Sequence, residues 1–164
     1  MFEARSIGGW ATVFVLAVAL QACAPMDQGS AQSALAEGRL DDAAYDVQAA
    51  LARDPDNLTL KNLATQIFTQ RGVKHYQAGE MIAASEDFHR AIDYYPTYAQ
   101  AYDYLGMLSY QQRNWQDAIK YGSLGAGYAG EPEPSYVNDA RKNLRKIQGG
   151  GMPSGSRSSA NSGS

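Results

Sequence analysis

Apolar residues recur at helical spacing in the middle of this chain and again near its end. Between Leu58 and Gln77 they form the stripe Leu60, Leu63, Ala64, Ile67 and Phe68. After the sequence Glu131-Pro132-Glu133-Pro134, with Ser135 as a cap, a second stripe consists of Val137, Ala140, Leu144 and Ile147. Residues three and four positions apart share one face of an α-helix. Both stripes therefore predict helices with one buried face.

Small residues, apolar residues and a closing proline also recur in a repeated pattern. One copy is Gly38, Leu40, Ala43, Val47, Ala50 and Pro55; the next, with identical internal spacing, is Gly79, Met81, Ala84, Phe88, Ala91 and Pro96. A third copy supplies Tyr102, Leu105, Gly106, Trp115 and Ala118. Ala118 follows Ala84 by 34 residues, which is the period of tetratricopeptide (TPR) repeats.

The chain resembles the TPR family most closely in its middle copy. There Phe68, Gly72, Gly79, Ala84, Phe88, Ala91 and Pro96 stand where the family has an aromatic, Gly, Gly, Ala, Phe, Ala and Pro. The resemblance implies an all-α TPR helical-hairpin solenoid over residues 31–148, with about three repeats and a C-terminal capping helix. Gly72 and Ala84 would let two antiparallel helices approach closely while Phe68 and Phe88 fill the gaps.

Three departures from the family pattern are visible. Ala84 follows Ala43 by 41 residues instead of 34, and the seven extra residues, two helical turns, are expected to lengthen the helix from about Leu58 to Gln77. In the last repeat Gly122 and Gly125 replace a large aromatic and an alanine, so that helix must either pack unusually tightly or remain mobile. The helix before Gly38 is short, which leaves the first repeat incomplete.

The N-terminal segment has the parts of an export signal. Arg5 precedes an apolar stretch from Trp10 to Leu20, which is too short to span a bilayer comfortably. The run Leu20-Gln21-Ala22-Cys23 contains the only cysteine and resembles the bacterial lipoprotein lipobox. The resemblance implies a signal peptide over residues 1–22, a covalent lipid on Cys23 and a lipidated tether over residues 23–30. The alternative is an ordinary secretory signal with an incidental cysteine.

The residue after the cysteine bears on where such a lipoprotein would reside. Ala24, and not Asp, follows Cys23. In Gram-negative lipoproteins this pattern implies delivery to the outer membrane, facing the periplasm. We therefore expect the protein to be lipid-anchored in the bacterial cell envelope.

Composition narrows the possible partners and chemistry. A formal net charge of -3 makes nucleic acid an unexpected partner, and residues 149–164, rich in Gly and Ser, are expected to form a disordered tail. The basic residues of the last helix, Arg141, Lys142, Arg145 and Lys146, are most simply a solvated face, although they could contact anionic lipid.

No motif for catalysis or metal binding stands out. His75 takes a packing position usually held by Tyr, His89 lies beside Phe88, and the pair Asp41-Asp42 is most simply a helix start. No nucleophile elbow, phosphate loop or metal-ligand cluster is present in the sequence. We therefore expect no enzyme activity, no catalytic residue, no metal and no small-molecule substrate, and no cofactor other than the lipid on Cys23.

The resemblance to TPR proteins also implies a binding surface, formed on the concave side by the first helix of each repeat. Carried over to this chain, that surface consists of Thr69, Val73, Tyr76, Gln77, Asp103, Tyr104, Met107, Tyr110 and Gln111. Amide, aromatic and thioether groups suit an extended peptide or a helix of a partner protein. They do not suit a clamp for a C-terminal carboxylate, because Thr69 and Val73 stand where such a clamp has Lys and Asn, and Asp103 would repel the ligand.

Together these features predict a lipid-anchored envelope scaffold that binds a protein partner through its TPR repeats. The combination resembles TPR lipoproteins that assist assembly of type IV or tight-adherence pili and of secretion systems. The alternatives are a lipoprotein subunit that supports outer-membrane or cell-wall assembly, and an enzyme accessory or cryptic hydrolase.

Overall fold

A computed structural model describes residues 28–149 of the 164-residue chain. Within them lie seven helices: α1 (Gln28–Ala36), α2 (Leu40–Arg53), α3 (Leu58–Ala78), α4 (Met81–Tyr94), α5 (Ala99–Gln111), α6 (Trp115–Ala129) and α7 (Ser135–Gly149). The predicted signal peptide and Cys23 lie outside the described residues, as does the tail beyond Gly149. No helix among residues 28–149 has the length and apolarity that crossing a membrane requires.

The described helices form a TPR-type solenoid of consecutive antiparallel hairpins. The pairs α1–α2, α3–α4 and α5–α6 pack against one another in chain order, and α7 packs on α6 and α5. This arrangement confirms the predicted all-α fold, with three repeats and a capping helix. Residues 28–30, which were predicted to belong to the tether, lie within α1.

Local sequence explains where the helices begin and end. The side chain of Asn57 accepts hydrogen bonds from the backbone N–H groups of Thr59 and Leu60, both at 3.1 Å, and caps the start of α3. Gly38 and Gly79 occupy equivalent turns with φ of 73° and 80°, where glycine is unstrained. The third repeat has Arg113 at the equivalent turn, with φ of 59°, a conformation that is unfavourable for a side-chain-bearing residue.

The core is built from small residues that let the helices approach closely. Eight alanines of the described helices are completely buried: Ala31, Ala43, Ala64, Ala84, Ala91, Ala101, Ala118 and Ala140. Phe68, Phe88, Ile67 and Leu105 are among the largest side chains that fill the spaces between them. A methyl group on Gly72 would lie 2.8 Å from the Phe88 ring. The predicted close approach of α3 and α4 around Gly72 is thus confirmed.

The seven extra residues extend α3, as predicted. This helix has 21 residues, whereas α5, the corresponding helix of the next repeat, has 13. At 1.5 Å per residue, the seven-residue insertion adds about 10 Å of helix. Leu60 and Leu63 in the added turns are buried, so the extension is part of the packed domain.

The glycine-rich last repeat packs tightly, which resolves the alternative left open by the sequence. The helix α6 is continuous from Trp115 to Ala129. A methyl group on Gly106 would lie only 2.9 Å from the backbone nitrogen of Gly122. The hydroxyl of Tyr136 on α7 lies over the same two glycines. The helices α5, α6 and α7 therefore meet at Gly106 and Gly122, where there is no space for a side chain.

The capping helix is only partly buried along its predicted face. Val137 and Ala140 are buried, and Leu144 is half-buried. Ile147 is 66% exposed, so its predicted place on the packing face is wrong. The whole end of α7, residues 145–149, is exposed in the same way.

Candidate partner-binding groove

A groove follows one face of α3 over most of its length. Two adjoining depressions form it, with volumes of about 450 Å³ and 330 Å³. The larger is lined by Leu40, Gln66, Thr69, Gln70, Val73, Lys74, Gln77, Tyr98, Gln100 and Tyr104. The smaller is lined by Asn62, Thr65, Gln66, Tyr95 and Tyr98. Because both depressions share Gln66 and Tyr98, we treat them as one site, the α3 groove.

Four of the predicted binding residues line this groove: Thr69, Val73, Gln77 and Tyr104. The ring of Tyr104 is held in place, since it stacks on Phe88 with centroids 4.9 Å apart and planes 4° from parallel. Thr69 contributes little to the surface, because it is 3% exposed and its hydroxyl donates to the carbonyl oxygen of Thr65 at 2.7 Å.

Tyr76 and Gln111 lie beside the groove and not in its lining. The ring of Tyr76 meets the edge of Tyr104 at a centroid distance of 6.0 Å. The side-chain nitrogen of Gln111 donates to the hydroxyl oxygen of Tyr76. This bond links α3 to α5 at one end of the groove.

The remaining predicted residues do not join the groove. Tyr110 packs against Trp115 and Tyr136, with ring centroids at 5.4 Å and 5.8 Å. The hydroxyl of Tyr136 donates to the carbonyl oxygen of Asp103 at 3.4 Å. Met107 is 38% exposed but lines neither depression. Asp103, Met107 and Tyr110 therefore lie outside the lining of the α3 groove, and α7 contacts α5 at Asp103 and Tyr110.

Burial changes the pKa of two groups at the contact between α5 and α7. It raises the pKa of the Asp103 carboxyl, and the nearby Glu131 carboxylate adds to the effect. Burial, together with the Asp103 charge, raises the pKa of Tyr136 to about 12. One Asp103 carboxylate oxygen, Oδ1, is buried without a hydrogen-bond partner among the described residues. A buried, unpaired carboxylate is destabilising, so this contact favours a protonated Asp103.

The structure adds groove residues that the repeat alignment missed. They are Leu40, Asn62, Thr65, Gln66, Gln70, Lys74, Tyr95, Tyr98 and Gln100. A signal for part of this set exists in the sequence, because Asn62, Gln66 and Gln70 are four residues apart and share one face of a helix. The alignment missed Asn62 because the two extra turns of α3 have no counterpart in an ordinary repeat.

The groove is nearly uncharged. Lys74 is the only charged side chain among the residues that line the two depressions. Its neighbour Arg71 is tied to Asp87 by two hydrogen bonds, Nε to Oδ2 at 2.9 Å and Nη2 to Oδ1 at 2.6 Å. The Asp87 side chain is 4% exposed, and its hydrogen bonds raise the pKa of Arg71. The Arg71 guanidinium is therefore already paired within the folded protein.

Both histidines have partners within the protein. His75 contacts the Glu80 carboxylate through Nδ1, and its Nε2 lies 3.7 Å from Asp87. In His89, Nδ1 lies 2.9 Å from the carbonyl oxygen of Ser85 and Nε2 lies 3.4 Å from the Tyr121 hydroxyl. Among residues 28–149 no cluster of three or more His, Cys, Asp or Glu side chains could hold a metal ion.

Comparisons with known proteins give structural similarity only. No protein-family model matches the chain, and no curated protein matches it. Among solved structures it is similar to the Sgt2 TPR domain from Aspergillus fumigatus, with a TM-score of 0.48 and 16% identity over 98% of this chain and 97% of that one. It is also similar to MamA protein, with a TM-score of 0.37 and 16% identity over 74% of this chain and 87% of that one. Neither similarity bears on which partner this chain binds.

Proposed function

We propose that this protein is a lipid-anchored scaffold of the bacterial envelope that holds a segment of a partner protein in the α3 groove. The observation that carries the proposal is the groove itself, an open surface lined by amide side chains, most of them on α3, and by tyrosines of α5 and of the turn before it. Amides hydrogen-bond a peptide backbone, and tyrosines supply contact area with little loss of conformational freedom.

The lipid anchor on Cys23 is the second part of the proposal. The lipobox-like run that ends at Cys23 supports it, and α1 begins only five residues later, at Gln28. Five extended residues reach at most about 17 Å. The anchor would therefore hold the repeat domain close to the outer-membrane surface.

Replacement of Cys23 tests the anchor. The Cys23→Ala variant is expected to lose incorporation of a fatty-acid analogue and to move from the membrane fraction to the soluble periplasmic fraction, because no thiol remains to be alkylated. The helical circular-dichroism signal should not change, since Cys23 precedes the first helix of the domain. A Cys23→Ala protein that still fractionates with membranes after a carbonate wash would contradict the lipid anchor.

The scaffold function is tested by site-specific photocrosslinking in cells. Photoreactive residues at Gln70 and Val73 lie in the groove, and Tyr45, which is 62% exposed on α2, serves as the control position. We expect one dominant crosslinked protein from both groove positions and none from Tyr45. Failure of both groove positions to capture a protein, or equal capture at Tyr45, would contradict the proposal.

We place this scaffold in the assembly of type IV or tight-adherence pili, or of a secretion system. The support is the combined resemblance to TPR lipoproteins of those pathways. The expected neighbouring genes encode pilins, a secretin or a secretion ATPase. Neighbours that encode outer-membrane barrel assembly or cell-wall synthesis would instead assign the scaffold to that alternative.

A further inference from the structure

The smaller depression of the α3 groove has an aromatic wall. Tyr95 and Tyr98 meet edge to face, with ring centroids 6.3 Å apart, over the surface of Asn62, Thr65 and Gln66. Tyr95 is 45% exposed. An aromatic wall made of two touching, roughly perpendicular tyrosine rings accepts a flat, rigid, apolar group better than a long flexible one, because flat faces make contact without loss of rotamer freedom.

Primary amides run along the rest of the groove. They are the side chains of Asn62, Gln66, Gln70 and Gln77 on α3 and of Gln100 on α5. Each amide has two N–H donors. These donors can satisfy backbone carbonyl groups of a bound segment wherever that segment leaves them exposed.

The conformation of the bound segment follows from these donors. A helix satisfies its own carbonyl groups and would leave the amides unused. A polyproline II segment has no internal hydrogen bonds and leaves every carbonyl exposed, while prolines remove N–H groups that would need acceptors. Such a segment is also ordered before it binds, so little conformational entropy is lost.

The near absence of charge in the groove also favours an uncharged bound segment. With Lys74 as the only charged side chain in the lining, a strongly charged segment would leave most of its charges without partners. An uncharged, proline-rich segment avoids the larger desolvation cost of charged groups on entering the groove.

We infer that the α3 groove recognises a proline-rich segment in the polyproline II conformation, with proline rings against Tyr95 and Tyr98. This inference rests on the proposed scaffold function and names the class of its partner. From Asn62 to Gln77 the helix spans about 22 Å. At 3.1 Å per residue this length accommodates about seven residues of a polyproline II helix. The two extra turns of α3 contribute Asn62 and so lengthen the groove at its tyrosine end.

The inference is tested with the detergent-purified full chain and two labelled decapeptides. One probe is decaproline, and the other is an alternating Gly-Ser peptide of the same length. By fluorescence anisotropy we expect decaproline to bind at least about tenfold more tightly. Equal affinity for the two probes, or no decaproline binding at millimolar concentration, would overturn the inference.

Matched variants locate the decaproline site. Tyr95→Ala and Gln66→Ala remove exposed groove side chains and are each expected to weaken decaproline binding by about tenfold. The controls Tyr45→Ala and Gln116→Ala remove exposed side chains of the same types outside the groove and should leave affinity unchanged. Unchanged binding by both groove variants would overturn the inference, and circular dichroism verifies that each variant is folded.

The two proposals can fail separately. A partner crosslinked at Gln70 through a segment that lacks proline would contradict the polyproline inference and leave the scaffold function intact. Absence of any crosslinked partner at Gln70 and Val73 would contradict the scaffold function itself.

Discussion

The contact between the glycines of the last repeat and α7 allows a matched test of helix packing. Gly122 and Gly127 both lie within α6. A methyl group on Gly122 would overlap the Cγ2 methyl of the fully buried Val137 and lie 2.8 Å from the Tyr136 hydroxyl oxygen. A methyl group on Gly127 meets no heavy atom within 4 Å. The same substitution in one helix therefore separates packing from helix propensity.

The two substitutions, Gly122→Ala and Gly127→Ala, are expected to change the free energy of unfolding in opposite directions. Gly127→Ala should stabilise the protein by about 0.5–1 kcal/mol, the ordinary advantage of alanine over glycine inside a helix. Gly122→Ala gains the same amount but forces overpacking against a rigid, β-branched side chain, which costs about 3 kcal/mol at the upper end of the usual range. The net loss is about 2 kcal/mol.

Thermal unfolding followed by circular dichroism measures both effects. For a domain of this size, about 4 °C of melting temperature corresponds to 1 kcal/mol. Gly122→Ala should lower the melting temperature by about 8 °C, and Gly127→Ala should raise it by about 3 °C. If Gly122→Ala raises the melting temperature as Gly127→Ala does, Gly122 is not tightly packed against α7.

A double-mutant cycle identifies the colliding group. In a Val137→Ala background the overlapping methyl groups are absent, so Gly122→Ala should be less destabilising there by about 1 kcal/mol or more. Additive effects of the two substitutions would contradict the proposed collision with Val137.

Two further predictions concern the aspartates of the domain. Asp87→Ala should lower the free energy of unfolding by about 3–5 kcal/mol, because it leaves the largely buried Arg71 guanidinium without its main partner. Asp41→Ala removes an 84% exposed partner of the same guanidinium and should lower the free energy of unfolding by less than about 1 kcal/mol. Urea denaturation measures both changes. A similar loss in both variants would contradict the assignment of Asp87 as the main partner. Asp103→Asn should stabilise the protein near neutral pH. The folded state raises the pKa of the Asp103 carboxyl, so this carboxyl stays protonated to higher pH in the folded than in the unfolded protein. The contribution of the protonated carboxyl to stability is therefore present below the ordinary pKa of 3.8 and is lost as the pH rises through the folded-state pKa. The advantage of Asp103→Asn over the wild type should therefore shrink in denaturation experiments below that pH, and an advantage that stays constant with pH would contradict the raised pKa.

The sequence predicts the fold of this chain well because repeat packing depends on small residues at fixed positions. Ala43, Ala84 and Ala118 mark equivalent helix crossings, and all three are completely buried. The two-turn extension of α3 was also predictable, since seven residues preserve the buried face of a helix. Periodicity alone did not reveal that α7 is exposed from residue 145 onward, because the pattern within one helix does not show how much of it other helices cover.

The binding surface was predicted less completely. Val73, Gln77 and Tyr104, which the family pattern indicated from ordinary repeat positions, line the groove. Tyr110 lies outside its lining because contacts between the aromatic side chains of α5, α6 and α7 are set by three-dimensional packing. The family pattern missed Asn62 because the extended part of α3 has no family counterpart from which a role could be carried over.

The contacts of the described helices have a consequence for how this domain opens. Each helix contacts only helices one or two places away along the chain, so the contact order is low and distant parts of the chain need not form together. Among the described helices α1 and α7 are the end elements, with packed neighbours on one side only, and the end elements of such an array exchange their amide hydrogens first. Local opening of α1 or of the last turn of α7 can therefore occur while α3, which forms the floor of the groove, remains held by helices on both sides.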